Sequence, residues 1–372
     1  MKFAIITHVN HKYQQNDIYA YEPYVREMNL WGKSMDACKI VAPISYDPTS
    51  PIDSKYNFNL ISLEQIPSFN LLSIKNKFLT LVKLPLIIYK IFKVCFWADH
   101  IHIRCPGNIG LLGCFVQIFF PFKKKTVKYA GNWDPKSKQP LSYRIQKWVV
   151  SNIFLTHNCK VLVYGKWENQ SKNIIPFFTA TYKESDIVPI PIKKLNDHIK
   201  IIFVGTFSKS KQPILSVKAT EELLRKGYKV ELNMYGDGSE FLTIKKYIEI
   251  NNLGKQIILH GNQDKEIIKL AFQKAHFLIF LSKSEGWPKV VAEAMFWSCI
   301  PISSKVSCIP NMLENGKRGS IVEPDLDEIL KSVISYINDE ECYKKTSNLA
   351  KLWSQKYTLE VFSEEIEKLI EN

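Results

Sequence analysis

The stretch that decides the fold is "HFLIFLSKSEGWPKVVAEAMFW", residues 276–297. Its first seven residues are typical of a buried strand, and Pro288 suits the first position of the helix that follows. Ligands of open α/β sheets bind outside the carboxyl ends of strands, where the free N–H groups of a helix start attract phosphate. Glu285 and Glu293 would flank such a phosphate and accept hydrogen bonds from sugar hydroxyls. A nucleotide sugar fits this layout, although spacing alone leaves open a helix-start acid and a surface acid.

Strand-like runs alternate with helix-like stretches in both halves of the chain. The first half has "KFAIIT", "CKIVAP", "DHIHIR", "TVKYA" and "KVLVY", and the second has "IKIIFVG", "KVELNMYG", "QIILHG", "HFLIFLS" and "CIPISS". This alternation predicts an α/β fold with two doubly wound, mainly parallel sheets. Prolines and polar residues in 185–198 indicate the boundary, so we expect domains over residues 1–192 and 193–356.

The composition favours a folded protein of two domains. A chain of 372 residues exceeds one ordinary core, and 46% hydrophobic with 12% aromatic residues excludes bulk disorder. The eight cysteines form no CxxC pair, which indicates scattered thiols in a reducing compartment. The N-terminal apolar run is too short for a signal peptide, so we expect a cytoplasmic protein.

The positive charge is concentrated in residues 51–150, which hold 15 Lys and Arg against 4 Asp and Glu. A solvated basic face and an attraction to anionic lipid or polyphosphate both explain this excess. Two apolar runs lie in the same region, residues 78–97 and 111–122, and the second is followed by Lys123, Lys124 and Lys125. Three lysines and a proline interrupt the first run and the second is short, so neither is predicted to span a bilayer. Core helices and a membrane-interface surface are the alternatives for both runs.

The segment "SEGWPKVVAEAM", residues 284–295, resembles the Glu-x7-Glu signature of retaining GT-B glycosyltransferases, in particular glycosyltransferase family 4 (glycosyl transferases group 1). The flanks "IIFVGTFSKSKQP", "LNMYGDGSE" and "ILHGNQDKEIIKLAFQKAHFLIFLS" resemble that family in the same order. The resemblance covers residues 199–325 well and residues 1–190 in outline. It implies two Rossmann-like domains facing across a cleft, with the donor nucleotide sugar in the second and the acceptor in the first. It also implies that residues 357–372 form a helix returning to the first domain, and that no metal ion or other cofactor is needed.

The resemblance assigns roles to matching residues. Glu285 would contact the sugar near the reacting carbon, and Lys211 would neutralise the leaving diphosphate. A fixed cation lowers that barrier because negative charge builds on the diphosphate as the bond breaks. Glu293 would hold the ribose hydroxyls. The remaining donor-binding candidates are Gly205, Lys209, Gly286, Trp287, Pro288, Lys289 and Val290.

Two places depart from the pattern of the family. Thr206 stands where an arginine is common, and Asn132, Trp133 and Asp134 stand near the place of a sugar-orienting histidine. Arg104 ends a predicted strand, is followed by Cys-Pro-Gly and is expected to face the cleft. Arg104, Asn132, Trp133 and Asp134 are the acceptor-side candidates.

Two further features have structural explanations. His102 fits a buried residue of an apolar strand. Asp325 and Asp327 are better explained by a helix N-cap with acids in the first turn than by a metal site.

The predicted function is transfer of a sugar, with retention, from a UDP- or GDP-linked donor to a saccharide or lipid-linked saccharide in cell-surface polysaccharide biosynthesis. The expected partners are donor, acceptor and the anionic inner face of the plasma membrane, and no nucleic acid. One alternative is a non-hydrolysing nucleotide-sugar epimerase. It would need catalytic acids in the first domain, where only nine Asp and Glu residues precede residue 151. The other is a basic nucleic-acid-binding protein, although no recognisable RNA or DNA module accompanies the charge.

Overall fold

The computed structural model describes residues 1–15, 17–50, 52–58, 61–67, 74–191, 193–195 and 198–371, with the side chains of the helix starting at Ile74 described from Val82 onward. The chain forms two compact units. Unit 1 is Met1–Phe177 with Ser363–Asn372, and unit 2 is Phe178–Phe362.

The division between the units lies earlier than the boundary expected after residue 192. The segment that follows Phe177 packs within unit 2, where the Thr181 hydroxyl donates to Glu293 and the N–H of Leu359 donates to the Tyr182 carbonyl. At the other end of the chain, the residues grouped with unit 1 begin at Ser363 rather than at 357.

Unit 1 is a doubly wound domain with a small additional sheet. Its strands are β1 Lys2–Ile6, β2 His11–Gln14, β3 Asp17–Tyr21, β4 Ala37–Pro43, β5 Asp53–Lys55, β6 Ile61–Ile66, β7 His100–Cys105, β8 Lys124–Tyr129, β9 Cys159–Tyr164 and β10 Ile174–Phe177. Its helices are α1 Glu22–Gly32, α2 Ile74–Trp97, α3 Asn108–Val116 and α4 Leu141–Ser151, with a 3₁₀ turn at Gln117–Phe119.

The main sheet of unit 1 is parallel, in the order β10-β9-β8-β7-β1-β4-β6. β7 is buried along its whole length, as expected for a central strand of a parallel sheet. The antiparallel sheet β2-β3-β5 is a second, smaller sheet, bridged to the residue after β4 through His11 and Ile44, and it was not predicted from the sequence.

Helix α2 covers the whole apolar run at residues 78–97. Ile87, Ile91 and Val94 are buried in the core of unit 1, whereas Tyr89 and Phe96 on the other side are exposed. The run is therefore partly a core helix and partly a surface. Among the described residues, no helix combines the length and the low polarity that a bilayer crossing requires.

Unit 2 is a second doubly wound domain. Its strands are β11 Ile199–Val204, β12 Val230–Tyr235, β13 Ile257–Gly261, β14 Phe277–Phe280, β15 Ile300–Ser304 and β16 Ser320–Val322. Its helices are α5 Pro213–Arg225, α6 Phe241–Ile250, α7 Lys265–Lys274, α8 Lys289–Phe296, α9 Ile309–Met312, α10 Leu326–Asn338 and α11 Glu340–Ser354, with 3₁₀ turns at Glu184–Asp186 and Glu314–Gly316. The last helix, α12 Leu359–Glu371, begins in unit 2 and ends among the residues of unit 1.

The sheet of unit 2 is parallel throughout, in the order β13-β12-β11-β14-β15-β16. The order reverses between β11 and β14, which is the switch point of a doubly wound sheet. The prediction of an α/β fold with two doubly wound, parallel sheets is therefore confirmed.

Candidate active site

The candidate site lies at the switch point of unit 2. Lys211 follows β11 and Glu285 follows β14, two strands that pair directly. The loops are also joined by a backbone hydrogen bond of 2.9 Å from the Lys283 N–H to the Ser210 carbonyl. Because the crevice outside the carboxyl ends of such strands binds ligands, both candidates stand where a ligand would enter.

Lys211 and Glu285 form an ion pair between Nζ and Oε1. Their side chains are 25% and 12% exposed, so the surrounding protein replaces much of the water that would screen the pair. The Lys211 ammonium also lies 4.8 Å from the ring centroid of Phe280 at the end of β14. The site thus holds one fixed cation and one fixed carboxylate side by side.

Glycine turns bring backbone to the edge of this site. Gly205 has φ +150, and a Cβ there would meet no atom within 4 Å, so its backbone is open to an approaching ligand. A Cβ at Gly236 would lie 2.0 Å from the Gly205 carbonyl oxygen. The turn after β12 therefore packs against the turn after β11, and only glycine allows this approach.

Two serines hold the loop between β14 and α8. The Ser304 hydroxyl donates to the Ser282 carbonyl and the Ser307 hydroxyl donates to the Gly286 carbonyl, both at 2.6 Å. Sequence reasoning missed these two side chains, since serines in the β15 region carry no local signal for a contact across the sheet.

The start of α8 differs slightly from the expectation. Pro288 is the N-cap residue and the helix begins at Lys289, so the proline stands one position before the predicted one. Its neighbour Trp287 stacks on Trp353 at a centroid separation of 6.4 Å and meets Tyr357 edge-on at 6.2 Å. Trp287 thus packs the turn against its surroundings, and its predicted part in donor binding is through the backbone.

Glu293 lies in a small cavity of about 10 Å³ with Trp287 and Lys289. Its Oε1 accepts a 2.7 Å hydrogen bond from the Thr181 hydroxyl. Burial, and then Glu293, raise the pKa of the neighbouring Tyr182 phenol. Thr181 is therefore a hydrogen-bond partner of Glu293, and the sequence had not singled it out.

The other donor-side candidates lie in the same loops. Thr206 and Lys209 are exposed in the loop that ends at Lys211, and Val290 is half-buried in the first turn of α8. A second positive charge from Lys209 stays a prediction.

The acceptor-side candidate Arg104 is buried and already paired. Its Nη1 donates to Glu27 Oε1 at 2.6 Å and its Nη2 donates to Oε2 at 3.2 Å, which makes a bidentate ion pair. The guanidinium also lies 5.5 Å from the Tyr24 ring centroid. Arg104 therefore has a structural partner in α1, and its place at a strand end had suggested a more open position.

The three residues after β8 form a turn. Asn132 Oδ1 accepts from the Asp134 N–H, and Asp134 Oδ1 accepts from the Lys136 N–H, as in side-chain-stabilised turns. Trp133 is buried and donates from Nε1 to Gln170 at 2.9 Å. These contacts explain why the loop needs these residue types, and Trp133 lines a cavity that is described below.

His102 lies in the core of unit 1. The Thr126 hydroxyl oxygen is 2.9 Å from His102 Nδ1 and 2.9 Å from His100 Nε2. Burial and Arg104 hold the pKa of His102 well below its usual value. This is the buried strand residue that the sequence indicated.

His8 is a candidate that sequence reasoning missed. It follows β1, and a Cβ on Gly107 after β7 would lie 2.7 Å from His8 Nδ1. β1 and β7 flank the switch point of unit 1, so the imidazole stands where that sheet would bind a ligand. Burial and Arg104 lower its pKa, which favours the neutral ring. The available signal was its position directly after the first strand.

Asp325 and Asp327 lie at the start of α10. Asp325 Oδ1 accepts from the N–H groups of Asp327 and Glu328, at 2.9 and 3.3 Å, and so caps α10 as predicted. Within the described ranges, no three His, Cys, Asp or Glu side chains are grouped so that they could hold a metal ion.

Comparison with known proteins finds similarity to glycosyltransferases. Residues 188–353 match the model of the family described as glycosyl transferases group 1. Poly(glycerol-phosphate) alpha-glucosyltransferase of Bacillus subtilis is 26% identical over 187 residues, which are 49% of this chain and 27% of that protein. A PP-undecaprenol alpha-1,4-N-acetyl-D-galactosaminyltransferase of Campylobacter jejuni is 28% identical over 176 residues, 46% of this chain and 47% of that protein. The chain thus spans less than half the length of either curated relative.

A solved structure extends the likeness to the whole chain. HepE of Anabaena, determined in complex with UDP and glucose, superposes with a TM-score of 0.69 at 12% identity, covering 100% of both chains. At this identity the likeness concerns the fold alone.

Proposed function

We propose that this chain, which has the GT-B fold and whose residues 188–353 match the model of glycosyl transferases group 1, transfers a sugar with retention from a UDP- or GDP-linked donor to a saccharide or lipid-linked saccharide. The observation that carries the proposal is the Lys211–Glu285 ion pair at the switch point of unit 2. The HepE complex with UDP makes uridine nucleotides the first donors to test. The glycerol-phosphate polymer and the PP-undecaprenol saccharide in the names of the two relatives favour an acceptor of cell-surface polysaccharide assembly.

The chemistry follows from the charges at the site. When the bond from the sugar anomeric carbon to the diphosphate breaks, its electron pair leaves with the diphosphate. Lys211 and the amino end of α8 would stabilise that charge, and Glu285 would hold sugar hydroxyls. Donor binding exchanges partners: phosphate replaces Glu285 at Lys211, and hydroxyls replace Lys211 at Glu285. Neither charged group is then left buried and unpaired.

The test uses purified full-length protein with common UDP- and GDP-sugars, with and without saccharide acceptors. Release of nucleoside diphosphate, and an anomeric configuration conserved by NMR, are the expected results. The Glu285→Gln variant, purified in parallel, controls for contaminating activity. Conversion of the donor into its epimer without transfer would support the epimerase reading instead. Binding of oligonucleotides with no effect on any donor would support the nucleic-acid reading.

We propose that transfer requires no divalent metal ion or other cofactor. The support is that Lys211 and the start of α8 supply positive charge where the diphosphate would lie. Excess chelator should leave the initial rate nearly unchanged. Loss of activity that magnesium or manganese restores would contradict this proposal.

We also propose that unit 1 works at the anionic inner face of the plasma membrane, approached from the cytoplasm. The support is an aromatic patch on α2 and the segment after α3, formed by Leu86, Tyr89, Phe92, Phe96, Phe119 and Phe122, whose exposed fractions run from 41% to 91%. The Phe92 and Phe119 rings are 6.3 Å apart and join the two segments. A contiguous apolar patch of this kind marks an interaction site, and the surplus of basic residues in 51–150 suits an anionic surface.

The three consecutive lysines after the second apolar run donate hydrogen bonds to backbone carbonyls. Lys123 donates to the Cys95 carbonyl at the end of α2, at 2.9 Å. Lys124 donates to the Glu371 carbonyl at the end of α12, and Lys125 to the Phe120 carbonyl, each at 3.0 Å. Cations stabilise helix carboxyl ends in this way. Replacing these lysines would therefore disturb folding, and the aromatic patch is the better target.

The membrane proposal is tested by co-sedimentation with anionic and with neutral liposomes. Wild-type protein should bind the anionic ones and detach as salt increases. The Phe96→Glu/Phe119→Glu variant should stay in the supernatant, whereas Leu242→Glu, at an exposed leucine of unit 2, should bind like the wild type. Thermal unfolding checks that both variants fold. Wild-type protein that stays in the supernatant with anionic liposomes at low salt would contradict the membrane proposal.

A further inference from the structure

A cavity lies in unit 1 beside α4 and the loops that follow β8 and β9. It encloses about 270 Å³, and we call it the tryptophan pocket, since Trp133 and Trp148 line it together with Arg144, Lys147, Gln139 and Gln170. Loops at the carboxyl ends of parallel strands are the usual ligand-binding part of a doubly wound sheet. The pocket shares no residue with the Lys211–Glu285 site, which belongs to unit 2.

The two tryptophans of the pocket differ in their surroundings. Trp133 is 2% exposed and fixed by its hydrogen bond to Gln170, so it forms a rigid wall. Trp148 is 62% exposed on α4. A single exposed aromatic residue needs no explanation by itself. Beside a cavity and two cations, however, its ring offers a flat apolar face to the C–H groups of a sugar.

The cations of the pocket attract an anion. Arg144 and Lys147 are three positions apart on α4 and so share a face of the helix, where like charges repel. Within the part of the chain that the structure describes, Arg144 forms no ion pair with a carboxylate. Burial lowers the pKa of Lys147 to about 8, although Asp134 acts in the opposite direction. The Lys147 ammonium is also 5.2 Å from the Trp133 ring centroid. A bound anion would restore the stabilisation that the Lys147 ammonium loses with its hydration, and the exposed Arg144 guanidinium would add a second cationic contact.

We propose that the tryptophan pocket binds one negatively charged sugar residue of the acceptor, with its phosphate or carboxylate on Arg144 and Lys147 and its ring against Trp148. Guanidinium and ammonium groups bind both anions, and the guanidinium does so through two parallel hydrogen bonds. The volume lies just below the roughly 300–1,000 Å³ of sites for drug-sized ligands, which suits a single sugar residue. The inference deepens the proposed function and rests on it, because it takes unit 1 as the acceptor-binding unit.

The test is titration calorimetry of the full chain with four probes: glucose 6-phosphate, galacturonate, glucose and inorganic phosphate. At least one acidic sugar should bind tenfold or more tightly than both glucose and inorganic phosphate, and the two acidic probes separate phosphate from carboxylate. The Arg144→Gln/Lys147→Gln variant should weaken that binding at least tenfold, whereas Arg225→Gln on an exposed arginine of unit 2 should not change it. Trp148→Ala should also weaken it, and Trp148→Phe should restore most of the affinity.

Two further measurements separate this inference from the proposed function. Lys211→Met should keep its affinity for the acidic sugar, because the pocket is independent of the candidate active site. UDP binding should be the same in Arg144→Gln/Lys147→Gln and in wild type. Equal binding of the acidic sugars by that double variant and the wild type, or a preference for an oligonucleotide over every sugar, overturns the inference. Absence of transferase activity with retained sugar binding would overturn the proposed function alone.

Discussion

Lys211 and Glu285 neutralise each other when no ligand is bound, which predicts opposite effects of their replacement on nucleotide binding. Glu285→Gln removes a competitor for the ammonium, so nucleoside diphosphate should bind at least as tightly as to wild type. Turnover should fall about a hundredfold, since one preorganised contact at the reacting centre is worth roughly 3 kcal/mol. Lys211→Met should weaken both binding and turnover, and Lys255→Met, at an exposed lysine of unit 2 outside the site, serves as the matched control. Calorimetry and initial rates measure both effects, and wild-type turnover in either variant would contradict the assignment.

Arg104 and Glu27 form a buried pair whose members depend on each other. Arg104→Met would remove the guanidinium that pairs with the buried Glu27 carboxylate, and breaking such a pair lowers the free energy of unfolding by about 3–5 kcal/mol. Arg104→Met/Glu27→Leu should recover most of that loss, because both charges are removed. Urea unfolding measures the three free energies. An Arg104→Met protein of wild-type stability but reduced acceptor affinity would return Arg104 to the acceptor-side candidates.

The turns at Gly205 and Gly236 in unit 2 pack against each other, and adding one methyl group tests whether this packing shapes the site. Gly236→Ala would place a Cβ 2.0 Å from the Gly205 carbonyl oxygen, so the turn beside Lys211 must move. We expect a lower melting temperature and a loss of donor affinity. Gly254→Ala is the matched control, because a Cβ there meets no atom within 4 Å. Equal donor affinity in both variants would show that the turns do not shape the site.

The strands of the two parallel sheets could be predicted from sequence because central strands of such sheets are buried on both faces and read as continuous apolar runs. The sheet β2-β3-β5 could not, because "HKYQ" and "DSK" are short and polar, and β5 pairs with a strand that is distant in the chain. Lys211 and Glu285 are likewise 74 positions apart in the chain. Only the resemblance to a family indicated that the two residues belong to one site. The carbonyl partners of Lys123, Lys124 and Lys125 also lie far along the chain or in a helix end, so their charge looked free.

At the scale of the whole molecule, buried histidines make stability depend on pH. Burial lowers the pKa of His11 to about 4, that of His100 to about 3 and that of His276 to about 4, and it holds the pKa of His102 well below its usual value. The imidazolium form loses its hydration inside the protein, so each ring is neutral when folded. His11, His100 and His102 belong to unit 1, whereas His276 belongs to unit 2.

Acid should therefore unfold unit 1 before unit 2. In the unfolded chain these histidines titrate near pH 6.5, so between about pH 6.5 and 4 the unfolded state binds more protons than the folded one. The free energy of unfolding therefore decreases as the pH falls. Below about pH 6.5 the decrease is on the order of 1.4 kcal/mol per histidine for each unit of pH. Unit 1 carries three such residues and unit 2 carries one, which makes the loss steeper in unit 1. Hydrogen-exchange mass spectrometry at a series of pH values from neutral to about pH 5 should show protection lost first in peptides of β1 and β7, and later in those of β11 and β14. Protection that is lost first in unit 2, or that does not change across this range, would contradict the prediction.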